Sequence, residues 1–221
     1  MHMKTLYTFV VFLMSACLFL GCVAPTNLNY DSARMLSTKD VDGSASYSNY
    51  LLYTTDSTSS AVQQNVSAAV HYGVSEQYNV SLKFENATGE YSIDSELISF
   101  DGTVGYNYFE LNNKIGLLKD KIALSLPLGA YQFRGNENVS DFVYVFDPRL
   151  LLTIPLKEEK FNLTITPKAH FFIGDVFVGW PGLTIGSEMS SDLSRWAIHP
   201  SIGFDGYLSA GIGFRYGIIR N

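Results

Sequence analysis

Beyond residue 60 of this 221-residue chain, apolar side chains recur at every second position, and that period of two constrains the fold more than any other feature. In "KIALSLPLGAYQF", Ile122, Leu124, Leu126, Leu128 and Ala130 share one face, while Ala123, Ser125, Pro127, Gly129 and Tyr131 share the other. In "KFNLTITPKAHFFI", Phe161, Leu163, Ile165, Pro167, Ala169 and Phe171 alternate with Asn162, Thr164, Thr166, Lys168, His170 and Phe172. "LSAGIGFRYGI" repeats the pattern with Leu208, Ala210, Ile212, Phe214 and Tyr216 against Ser209, Gly211, Gly213, Arg215 and Gly217. A soluble barrel or sandwich would turn the apolar face inward, whereas a membrane barrel turns it to lipid and encloses the polar face. The composition of the polar face separates the two. A solvated face carries many Lys and Glu, but this one is crowded with Gly, Ala, Ser and Thr, which fit the interior of a narrow barrel. Charges gather instead in "LKDK" at 118–121 and "KEEK" at 157–160. The expectation is an all-β chain forming a single antiparallel up-and-down transmembrane β-barrel. Pro167 lacks a ladder donor and weighs modestly against a regular strand in either architecture.

The alternation marks strands at about 41–54, 61–74, 77–89, 103–117, 121–134, 142–156, 160–173, 182–189, 195–204 and 207–218. That is about ten, an even number as single-chain bacterial barrels have, with eight as the alternative if the first is irregular or 182–189 is not a full span. Short connections ("SEQ", "LKDK", "KEEK", "SSDLSR") then fall at one end, and longer loops at 86–102, 135–141 and 174–182 at the other. "Asp205-Gly206" signals a tight hairpin at the longer-loop end. Tyr72, Tyr78, Phe161, Phe171, Trp196 and Phe204, near strand ends, suit interfacial girdles.

The N-terminus sets the compartment. Residues 1–21 carry one cation, Lys4, then an uncharged and mostly apolar run from Leu6 to Gly21. Spanning a bilayer takes about 20 apolar residues, so the run matches a cleaved signal peptide; an uncleaved anchor helix is the other reading. "Leu20-Gly21-Cys22" resembles the lipobox of bacterial lipoproteins, and "Met14-Ser15-Ala16-Cys17" is a rival cleavage site that would leave "LFLGC" on the mature chain. Cysteines occur at 17 and 22 alone, so cleavage before Cys22 leaves one thiol and no intramolecular disulfide. Residues 22–40 have no sustained period and read as a lipidated tether, followed by the barrel at 41–221. The formal net charge of −6 argues against nucleic acid, whose phosphates require clustered Lys and Arg.

The lipobox, "SARML", the "HYGVSEQYNVSLKFEN" hairpin, "KIALSLPLG" and "SSDLSRWAIHPSIGF" resemble outer-membrane β-barrel lipoproteins of Gram-negative bacteria. The resemblance covers most of the mature chain. It implies location in the cell outer membrane, with outer-membrane lipid as partner, and a diacylglycerol plus an N-acyl chain such as palmitate on Cys22. It carries no catalytic motif, so no functional residue beyond Cys22 transfers.

If the apolar face meets lipid, then His71, Lys83, Glu85, Glu110, Lys114, Asp147, Arg149, Lys168, His170, Glu188, His199 and Arg215 point inward. Both signs occur in comparable number, so a polar network of paired charges filling the lumen is expected. The sharper alternatives are a narrow pore for ions or small solutes, and a soluble β-barrel lipoprotein binding an apolar ligand in the periplasm. His71, His170 and His199 lie on different strands without ligand spacing, so no metal site is expected. No nucleophile elbow, phosphate loop or cofactor motif appears, and neither an enzyme nor a cofactor is expected. The sequons at Asn65, Asn79, Asn86, Asn138 and Asn162 read as coincidence in a bacterial lipoprotein. The expected role is envelope-structural or surface-interaction, with an extracellular or periplasmic protein partner met through loop residues such as Tyr91, Phe100 and Trp180.

Overall fold

A computed structural model describes residues 30–53, 59–94, 99–134, 139–157, 160–173, 178–205 and 208–220. The leader, Cys17 and Cys22 lie outside the described residues. The alternating segments form β1 (Val41–Tyr53), β2 (Ser59–Ser75), β3 (Tyr78–Asp94), β4 (Ser99–Leu118), β5 (Ile122–Arg134), β6 (Val139–Phe146), β7 (Arg149–Lys157), β8 (Phe161–Ile173), β9 (Val178–Met189), β10 (Trp196–Phe204) and β11 (Leu208–Ile219). Neighbours pair antiparallel, and β11 returns to β1 from Val41↔Ile219 to Leu51↔Leu208, which closes the sheet. Closure leaves no unpaired sheet edge to manage.

β6 and β7 are two halves of one wall strand, since both lie between β5 and β8. The barrel therefore has ten strands. The single strand expected at 142–156 is interrupted at Asp147–Pro148, because Pro148 has no N–H to give the ladder. The wall is bridged there by Asp147 N donating to Pro127 O at 3.2 Å and Ala169 N donating to Pro148 O at 3.1 Å.

Strand parity sorts the side chains as a membrane barrel requires. Leu82 and Val66 are 65% and 59% exposed, and Leu128 and Ile212 also face outward, whereas Thr164 and Lys168 on the other parity are 4% and 5% exposed. Outside, Phe84 and Phe109 on adjacent strands sit with ring centroids 5.2 Å apart. Inside, Ala87, Tyr106, Tyr108, Tyr131 and Val145 form an apolar cluster, with Tyr108 stacked on Tyr131 at 4.3 Å. Gly129 sits beneath the Tyr108 ring, so close that a Cβ there would collide with it.

One expectation requires correction. The described residues of the expected loops at 86–102, 135–141 and 174–182 are strand: pairing continues to Asp94↔Ser99, and β6 and β9 begin at Val139 and Val178. Beyond the hydrocarbon layer a strand needs no apolar outer face, so its alternation fades while its backbone pairing persists. Tyr91, Phe100 and Trp180 thus lie on strands, with side chains outside the described set. Residues 30–40, the described part of the segment expected as a lipidated tether at 22–40, are packed without being strand. They enter the barrel as an irregular strap, with Ser32, Ala33 and Leu36 buried, and turn at Thr38–Lys39 into β1.

Candidate functional site

The lumen is where the chemistry-bearing side chains converge. Its central feature is a chain of buried charges drawn from β4, β7 and β8, from the break between β6 and β7, and from the residue that follows β10. The Arg149 guanidinium lies 2.7 Å from Glu110 Oε2 and 2.6 Å from Asp147 Oδ2. Tyr108 Oη donates to Glu110 at 2.9 Å. On the far side of Asp147, His170 Nδ1 lies 3.4 Å from Asp147 Oδ1, and its Nε2 lies 3.7 Å from Asp205 Oδ2. Lys168 Nζ completes the run 2.6 Å from Asp205. Burial pushes the Asp205 carboxyl up, but Lys168 and His170 more than offset this and hold it below the usual carboxylate range.

Two further groups flank this chain. Lys83 pairs with Glu85 at 2.7 Å, and Glu85 also accepts from Asn65 at 2.8 Å and from Tyr106 at 3.0 Å. Nearer the short-turn end, Glu188 lies 3.3 Å from Arg215 and 3.5 Å from His199, and accepts from Asn162 at 2.9 Å. Arg215 reaches on to Asp42 at 3.5 Å, which also binds Arg220. His71 sits apart from these, with Nε2 3.0 Å from Ser44 Oγ.

The strap supplies the remaining partner. Lys114 pairs with Asp31 at 2.9 Å, an inward cation of the wall meeting an acid of the strap. Burial raises the Asp31 carboxyl, but Lys114 and, to a lesser degree, His71 outweigh this and bring it below its ordinary value. A cavity of about 10 Å³ lies between Tyr30 and Asp31 on one side and Thr184, Glu188 and His199 on the other, close to the room of a single water.

All twelve ionisable residues singled out from the sequence are thus directed into the barrel. Eleven of them fall into these ion-paired groups, and His71 is hydrogen-bonded. The three histidines are held in three different settings. Among the described residues, no group of three or more His, Cys, Asp and Glu is arranged to hold a metal ion. Sequence reasoning missed Asp31, Asp42 and Asp205 as partners. Asp42 has the inward parity of β1 and was open to discovery by register; Asp205 was read only as a turn residue, and Asp31 sits in a segment without period.

Fold and lumen together define a class: a ten-stranded closed barrel with an apolar outside and a filled, ion-paired inside. No protein-family model matches the chain, and no curated protein matches it. Among solved structures, the β domain of the Bordetella autotransporter BrkA superposes with a TM-score of 0.51 at 10% identity, covering 81% of this chain and 100% of that one. That likeness shows the barrel fold. Lower TM-scores of 0.43 are found for the translocator domain of the autotransporter NalP from Neisseria meningitidis (10% identity, 96% of this chain, 95% of that) and for the outer membrane protein OprG from Pseudomonas aeruginosa (10% identity, 86% and 100%).

Proposed function

We propose that this chain is an outer-membrane β-barrel lipoprotein with a sealed lumen, serving an envelope-structural or surface-interaction role without catalysis. The observation that carries this reading is the inversion of polarity on a closed barrel. Exposed side chains such as Leu82 and Ile212 would be costly in water, while Arg149, Glu110, Lys168 and Asp205 are buried in pairs. Acyl chains on Cys22 would hold the mature N-terminus at the inner leaflet; each buried CH₂ contributes about 0.8 kcal/mol, and two or more chains give stable anchoring. The short turns, the start of β1 and the end of β11 lie at one end of the barrel, which would be the periplasmic end. A filled lumen favours the structural role over a pore. The outward apolar face speaks against a soluble ligand carrier.

Fractionation of the lipidated protein, combined with boiled and unboiled detergent gels, tests the reading. Recovery with outer membranes and a boiling-dependent shift in migration are the expected results. A Cys22→Ala variant that stays monomeric in water without detergent would overturn it.

A further inference from the structure

The short-turn half of the lumen treats the strap as a bound peptide. The wall aims polar groups at the strap's main chain: Lys114 Nζ donates to Ser32 O at 3.2 Å and to Arg34 O at 2.8 Å. Thr153 Oγ1 accepts from Ala33 N at 2.8 Å, and Asp120 Oδ1 accepts from Met35 N at 3.2 Å. At the exit, Lys39 N donates to Gly73 O at 2.7 Å, and Gly73 N donates to Asp40 O at 3.0 Å. Main-chain hydrogen bonds of this kind give affinity for an extended peptide, and side-chain pockets give selectivity.

The pockets are present as well. Asp31 meets Lys114, and Ala33 is fully buried against Ala123 and Leu151. Wall positions facing the strap are glycine where it approaches most closely. A Cβ on Gly213 would stand 2.8 Å from the Tyr30 ring, one on Gly211 would strike the Tyr30 hydroxyl, and one on Gly73 would strike the Ser37 carbonyl. Meanwhile the strap adds no strand to the sheet, which closes through β1 and β11 without it. Held by side-chain and turn contacts outside the ladder, the strap can leave without breaking any strand pairing of the closed sheet.

We propose that the short-turn half of the lumen is a peptide-binding site, occupied in cis by residues 30–40. Its ligand class is an extended polypeptide that begins aromatic, acidic, small, small, as in Tyr30-Asp31-Ser32-Ala33. The strap is then an exchangeable plug, and another chain of the same chemistry can take its place.

The test uses the full chain, folded in detergent, with a site-specific protease sequence inserted between the exposed Thr38 and Lys39. After cleavage, a fluorescent peptide of residues 30–38 is added. The expected result is saturable exchange into a barrel that keeps its folded gel migration. Asp31→Asn and Ala33→Trp, both placed on the peptide so that the barrel is unaltered, should each weaken binding about tenfold or more. Gly213→Val in the barrel should do the same. Failure of the cleaved strap to exchange against excess peptide overturns the proposal. So do equal binding of a scrambled peptide, indifference to both peptide substitutions, and loss of the folded migration on cleavage.

Discussion

Arg149 neutralises two carboxylates from inside a barrel wall, and the energetics of the lumen turn on that single side chain. Removing it leaves Glu110 and Asp147 buried with their principal cation gone, which is far costlier than never having placed the charges there. Arg149→Ala is expected to lower stability by about 3–5 kcal/mol, read as an earlier urea midpoint of the protein in lipid vesicles. Combining it with Glu110→Gln and Asp147→Asn should recover much of that loss, because no uncompensated charge remains. Parity alone puts Arg149, Lys168 and His170 on the inner face, so this much was legible in the sequence. What parity cannot supply is the partner. Asp205 follows the last residue of β10 and Asp31 precedes the first strand by ten positions, and both reach into the lumen from segments that have no alternation to read. Small inner residues tell a similar story. Gly129 and Gly213 are recognisable as fitting a narrow interior, but only the fold reveals that Tyr108 lies over one and Tyr30 over the other.

Strands were legible where both faces are under constraint. β5, β8 and β11 run through the layer where outward side chains must be apolar and inward ones small or paired, and their limits follow the alternation closely. β3 and β4 continue past that layer to Asp94 and Ser99, and there the polar stretch looks like loop although its backbone stays paired. The interruption between β6 and β7 had a visible cause in Pro148, yet the flanking alternation masks it. The membrane reading makes a definite claim about a single outward position. Leu111, 47% exposed and opposite Leu82 and Leu128, should tolerate no charge. Leu111→Arg is expected to cost about 2–4 kcal/mol in vesicles. On a water-facing strand the same change would fall within about 0.5 kcal/mol of neutral, so an unfolding titration separates the two habitats.

As a whole molecule the barrel is filled at two levels, by the strap towards the short turns and by Tyr108, Tyr131, Arg149 and His170. Purified protein in planar bilayers is therefore expected to show no defined current steps; regular steps at modest voltage would mean that both levels open. The strap also links the two ends of the chain. Tyr30 rests on Gly211 and Gly213 of β11, and Ser37 rests on Gly73 of β2, so its berth is built partly from the final strand. The strap precedes every strand in sequence, yet its berth is complete only once Leu208–Ile219 has joined Val41–Tyr53. Without Leu208–Ile219 the strap would keep Lys114 and Thr153 but lose the floor beneath Tyr30, so a seated Tyr30 marks a barrel whose last strand has met its first.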